Sequence, residues 1–209
     1  MKKFSGILCA LLLGLLTAGV AGAATFTYPG TPVAIPEGDY LYADIVVTDS
    51  GTVTDVNVCV DVTHTCISDL DIYLAHWESE SSTGKYVQLF NEYGGAEDNL
   101  TGVTFDDEAA TYIDSGTPPY GPGSFKPVST FDSYADSNLL SSFDGNSIAG
   151  TWSLVIWDNY TEDTGTLNAF SFTTNGETPP CNAVPIPGAF WLLGSGIIGL
   201  VGISRKSSS

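Results

Sequence analysis

Between Val53 and Thr63 the chain alternates apolar and polar positions, with Val56, Val58, Val60 and Val62 on one side and Asn57, Cys59, Asp61 and Thr63 on the other. A period of two is that of an extended strand, whose successive side chains point to opposite faces. The same period sets Leu70, Ile72 and Leu74 against Asp71 and Tyr73, and Trp152, Leu154 and Ile156 against Ser153, Val155 and Trp157. Tyr86–Phe90 and Leu167–Thr173 predict two further strands. Turn-forming residues separate these runs: Asp49-Ser50-Gly51, Gly94-Gly95, Pro118 to Gly123, Asp144-Gly145-Asn146 and Asp163-Thr164-Gly165. No helical stripe interrupts the series. Short strands at this spacing predict an all-β domain, a β-sandwich of jelly-roll type, over residues 25–175. Gly176 to Val184 reads as a linker leading out of it.

The two ends follow a different pattern. Met1-Lys2-Lys3, an apolar run from Ile7 to Leu16, and Ala21-Gly22-Ala23 have the layout of a secretory signal peptide over residues 1–24, cut after Ala23 or Ala24. An uncleaved anchor fits less well because the apolar run is short. The C-terminal segment carries Val184-Pro185-Ile186-Pro187, then an apolar stretch over residues 188–203, then Arg205 and Lys206. These 16 residues would span about 24 Å as a helix, slightly less than a bilayer core of about 30 Å, with the basic pair on the cytoplasmic side.

Charge sharpens the picture. All 24 acidic residues lie between Glu37 and Glu177, where the basic side chains are Lys85 and Lys126. Two positive charges against 24 negative ones give this region a net charge of −22, more extreme than the −18 of the whole chain. Such a surface repels nucleic acid and anionic lipid and attracts cations. Nucleic acid is therefore excluded as a partner.

Three cysteines remain after the signal peptide: Cys59, Cys66 and Cys181. Export permits a disulfide. Cys59 and Cys66 are the nearest pair and the candidate bridge, with Cys181 left over, although spacing does not fix connectivity. Clustered carboxylates in the loops (Asp69, Asp71, Asp98, Asp106, Asp107, Asp158, with Asp163 nearby) suggest a cation site at one edge of the sandwich. Ca²⁺, which takes six to eight oxygen ligands, is the candidate cofactor. Solvated surface charge is the plainer alternative. A glycosidase pair of carboxylates is a weaker reading. Trp77, Tyr86 and Tyr93 offer stacking surface for a glycan, with packing the alternative role.

Three segments taken together resemble the P domain (P/Homo B) that follows the catalytic domain of proprotein convertases. They are Val62-Thr63-His64-Thr65 leading to Ser68-Asp69-Leu70-Asp71-Ile72-Tyr73-Leu74; Val87 to Asn91 with Gly94-Gly95, Asp98-Asn99 and Thr104 to Ala109; and Gly150 to Leu154 with Trp157-Asp158-Asn159, Asp163 to Leu167 and Phe170-Ser171-Phe172. The chain departs from that pattern in a longer segment from His76 to Gly84 and in Cys66, at a position that is often aromatic. The resemblance implies a non-catalytic module, because no subtilisin-like domain lies between the signal peptide and this region. Only His64 and His76 are available as bases. His64 is expected to be a structural, hydrogen-bonded residue and His76 an exposed one.

The C-terminal segment is similar to a PEP-CTERM sorting signal of the Val-Pro-x-Pro variant. That similarity implies a Gram-negative bacterium, cleavage near Val184 to Pro187 by an exosortase after signal peptidase has acted, and display at the cell surface or release into the matrix. A permanent single-span anchor is the alternative. The expected function is a surface or matrix adhesion module for extracellular polysaccharide, with Ca²⁺ as a candidate bridge. The second function class is an accessory domain for a separately encoded exported peptidase.

Overall fold

In the computed structural model the described residues are 24–78, 81, 83–96 and 98–181. Residues 1–23 of the expected signal peptide, the expected sorting motif Val184 to Pro187, the apolar stretch 188–203, Arg205 and Lys206 lie outside them. Among the described residues no helix is long and apolar enough to cross a membrane.

The all-β expectation holds: the described residues form ten strands in two sheets, with only short 3-10 turns between them. In chain order the strands are β1 (Thr25–Thr27), β2 (Val33–Ile35), β3 (Tyr40–Val47), β4 (Asn57–His64), β5 (Leu70–Glu78), β6 (Lys85–Asn91), β7 (Leu100–Phe105), β8 (Gly123–Phe125), β9 (Gly150–Asp158) and β10 (Gly165–Thr173). The first sheet runs β1-β10-β4-β7-β8, with β2 also paired to β10; the second runs β3-β9-β5-β6. All pairings are antiparallel except β7 with β8.

The two sheets share one core. Val56, Val58, Val60 and Val62 are fully buried, as the alternation predicts, together with Leu70, Ile72, Leu74, Leu154 and Ile156 from the second sheet. Trp152 and Phe172 meet across the core with ring centroids 4.8 Å apart. The Trp152 indole N–H donates to the Ile148 carbonyl at 3.0 Å, so the large ring is buried without stranding its polar atom. Each such side chain stabilises the fold by roughly 1.5–3 kcal/mol.

The sheets' outer faces depart from simple alternation, because loops cover parts of them. After β10 the chain turns at Gly176, whose φ of +80° favours glycine. It then runs back across the outer face of the first sheet. There Ser171 Oγ donates to the Pro180 carbonyl at 2.7 Å, and Asn57 and Thr173 donate to the Glu177 carbonyl. Residues 176–181 therefore belong to the domain rather than to a linker.

This return path corrects the expected disulfide. Cys59 is bonded to Cys181, with Cα atoms 5.2 Å apart, and Cys66 is free. Cys59 sits in the middle of β4, whereas Cys66 lies beyond its end. Seven residues of extended chain cover about 23 Å, far more than the ~7 Å Cα separation a disulfide spans.

Two further corrections concern β5. The strand continues through Glu78, so the expected loop begins later than His76. His76 is buried, not exposed, with its ring stacked on Trp152 at a centroid distance of 3.9 Å.

Candidate binding cleft

The outer face of the second sheet carries aromatic side chains in registered rows. Tyr40 on β3 faces Trp157 on β9, which faces Asp71 on β5. In the next row Tyr42, Val155, Tyr73 and Gln88 lie side by side across β3, β9, β5 and β6. A third row runs Asp44, Ser153, Ala75 and Tyr86. Tyr134 comes from the loop between β8 and β9. Together Tyr40, Tyr42, Tyr73, Tyr86, Tyr134, Val155 and Trp157 line a cleft of about 310 Å³.

The rings are ordered against one another. Tyr40 stacks on Trp157 at 5.1 Å and on Tyr42 at 6.0 Å, and Tyr134 meets Trp157 edge-on at 6.1 Å. Burial alone does not explain their presence. Tyr40, Tyr42 and Tyr134 are 37%, 52% and 68% exposed, a cluster of large apolar faces kept in water.

A polar layer holds the cleft's base. Tyr73 Oη donates to Asp132 Oδ2 at 2.6 Å. Gln88 Nε2 donates to Asp132 Oδ2 at 3.0 Å and to Asp71 Oδ1 at 3.3 Å, while its Oε1 accepts from the Asp132 N–H at 2.8 Å. Asn159 Nδ2 donates to Asp71 Oδ2 at 2.9 Å. Asp132 Oδ1 accepts from the backbone N–H groups of Tyr134 and Ala135, which fixes the turn that presents Tyr134. The next residues pair with β6: the Asp136 N–H donates to the Tyr86 carbonyl, and the Tyr86 N–H donates to Asp136 Oδ2.

Burial raises the Asp71 carboxyl to about 6, against the opposing pull of the Asn159 hydrogen bond. The Tyr73 hydroxyl is raised by burial and by its bond to Asp132. Tyr40 is also raised, by burial first and then by its tyrosine neighbours, Asp71 and Asp132. The field at the cleft is therefore negative. Neither lysine among the described residues lines the cleft: Lys85 Nζ donates to the Ser142 carbonyl and Lys126 Nζ to the Asp107 carbonyl.

The carboxylates proposed as metal ligands do not gather at one edge. Asp69, Asp71, Asp98, Asp158 and Asp163 lie at the end of the sandwich where β4 finishes, and Asp106 and Asp107 lie at the other end. Strand β7 separates Asp98 from the Asp106–Asp107 pair, a span of about 20 Å for its length. Asp107 accepts from the N–H groups of Leu140 and Ser141 and so caps a 3-10 turn, and Asp106 accepts from the Glu108 N–H.

At the other end, Asp158 Oδ2 lies 3.2 Å from His64 Nε2, and Asp71 is held by Gln88 and Asn159. Asp69, Asp163 and Cys66 each bring a donor atom within 4.8 Å of the others. Two carboxylates and a thiol, whose pKa burial pushes up, do not form the oxygen-only shell that Ca²⁺ takes.

Of the aromatics singled out in the sequence, Tyr86 lines the cleft and Trp77 packs edge-on against it at 5.4 Å, while Tyr93 lies apart from it. Sequence reasoning missed Tyr40, Tyr42, Tyr73, Tyr134 and Trp157. The available signal was Tyr40-x-Tyr42, two aromatics at the spacing of one strand face.

No family model matches the chain, and no curated protein does. Among solved structures, a chain of the Aeromonas sobria serine protease–chaperone complex aligns at a TM-score of 0.40 and 17% identity, and one from the serine protease of Aeromonas sobria at 0.39 and 17%. Each alignment covers 73% of this chain and 26% of the other, so this chain spans about a quarter of their length.

Proposed function

We propose that this protein is an exported, non-catalytic binding module of P-domain, jelly-roll type that holds extracellular polysaccharide in the aromatic cleft. An exosortase processes its C-terminal segment, and the module acts at the cell surface or in the matrix of a Gram-negative bacterium. The observation that carries this reading is the exposed array of Tyr40, Tyr42, Tyr134 and Trp157 over a hydrogen-bonded base. Aromatic faces kept in water at no benefit to the core are suited to stacking on the apolar faces of sugar rings.

The histidines support a non-catalytic role. Both ring nitrogens of His64 are engaged, one with Asp158 and the other with the Cys66 backbone. His76 is stacked on Trp152 in the interior. Neither is placed as an available general base.

Capture of matrix polysaccharide on immobilised protein tests the reading. Tyr42→Ala with Tyr134→Ala should reduce capture at least about tenfold while leaving the melting temperature nearly unchanged, since both rings are largely exposed. Equal capture by this variant and the parent would remove the cleft from the function.

A further inference from the structure

The geometry points to a cationic amino-sugar polymer, rather than a neutral or acidic glycan, as the occupant of the aromatic cleft. This inference rests on the polysaccharide reading above and adds the charge of the ligand to it.

The argument is charge complementarity at a surface built for stacking. Asp44 is exposed on the same face of β3 as Tyr42, two residues along and thus about 7 Å away. Asp136 is exposed on the opposite side, beside Tyr86. Asp71 and Asp132 lie close enough beneath the rings to disfavour ionisation of the Tyr40 hydroxyl. Neither lysine among the described residues lines the cleft; Lys85 lies in a neighbouring pocket with Asp136, which leaves Asp44, Asp71 and Asp132 as the carboxylates without a lysine beside them. A uronic-acid chain would bring more negative charge into this field and be repelled.

A glucosamine unit offers what the cleft lacks. Its ring faces stack on tyrosine and tryptophan, while its ammonium group lies over electron-rich ring faces or between them and a carboxylate. The cleft is at the lower end of ligand-site volumes and open to solvent at Tyr42 and Tyr134. A short stretch of a longer chain can therefore be held while its ends run out on both sides.

The test uses the exported domain and three oligosaccharides that share one backbone and differ at C2: glucosamine, N-acetylglucosamine and glucose oligomers. Quenching of Trp157 fluorescence or calorimetry reads the binding. The glucosamine oligomer should bind about tenfold or more tighter than either neutral one, and the preference should shrink as salt is added. Asp44→Asn should weaken only the cationic ligand, whereas Tyr42→Ala should weaken every oligomer that binds. Equal affinity for all three would overturn the amino-sugar inference and leave the polysaccharide reading intact. Binding of none, together with unchanged matrix capture by the tyrosine variant, would overturn both.

Discussion

His64 Nε2 and Asp158 Oδ2 lie 3.2 Å apart with both side chains wholly buried, joining the end of β4 to the end of β9. The pair bridges the two sheets. Removing one partner strips the other of a buried hydrogen bond, which typically costs about 1–3 kcal/mol. Asp158→Ala and His64→Ala should each destabilise the domain on that scale in urea unfolding, and the double variant should cost much less than the sum. Additive losses would show that the two side chains act separately.

The bond between Cys59 and Cys181 closes a loop of 122 residues. A crosslink of that span stabilises by about 4–5 kcal/mol through the unfolded chain. Cys181→Ser should therefore lower stability by several kcal/mol, and Cys66→Ser should change it little. Peptide mapping without reductant should recover the 59–181 crosslink and an alkylatable Cys66; a 59–66 crosslink would contradict the fold.

Two buried groups give opposite pH slopes. Asp71 is raised to about 6 in the fold and titrates near 3.9 when unfolded. The folded state then binds the extra proton between these values, so this residue's contribution becomes more favourable as pH falls from about 6 toward 4. Burial lowers the pKa of His76. The unfolded state thus takes up that proton first, and stability falls as pH drops below the unfolded value of about 6.5. Melting curves between pH 4 and 7 should show Asp71→Asn losing stability more steeply on acidification than the parent, and His76→Phe less steeply. Parallel curves would refute both assignments.

Splitting of the carboxylates between two ends of the sandwich predicts a general rather than a specific response to calcium. Screening of the −22 surface should raise the melting temperature equally in CaCl₂ and in NaCl at matched ionic strength. A larger rise in calcium, lost in Asp69→Asn, would establish a bound ion.

The strands that were legible in the sequence are those whose inward positions are all apolar and whose outward ones are polar, such as β4 with its three inward valines, Val58, Val60 and Val62. Strand β3 was not, because Tyr40, Tyr42 and Val46 stand exposed between Ala43, Ile45 and Val47 and erase the alternation. The cleft was hidden for a related reason. It needs Tyr42, Val155 and Tyr73 in one row, and lateral register across three strands leaves no mark on any one of them. The disulfide depends on the chain returning over β4 after β10, a long-range event that nearest-neighbour spacing misreads. Asp107 looked like a ligand because a carboxylate that caps a turn and one that binds a cation are the same residue in sequence.

The crosslink at Cys181 also sets a load path. A pull on the chain beyond that residue reaches β4 in the interior of the first sheet, leaving the turn at Gly176 and the end of β10 shielded. Strands on both sides of β4 then resist together in shear, instead of β10 peeling away one hydrogen bond at a time. The point of pull and the cleft also lie on opposite outer faces, so a domain held by its C-terminal side turns its tyrosines away from whatever holds it.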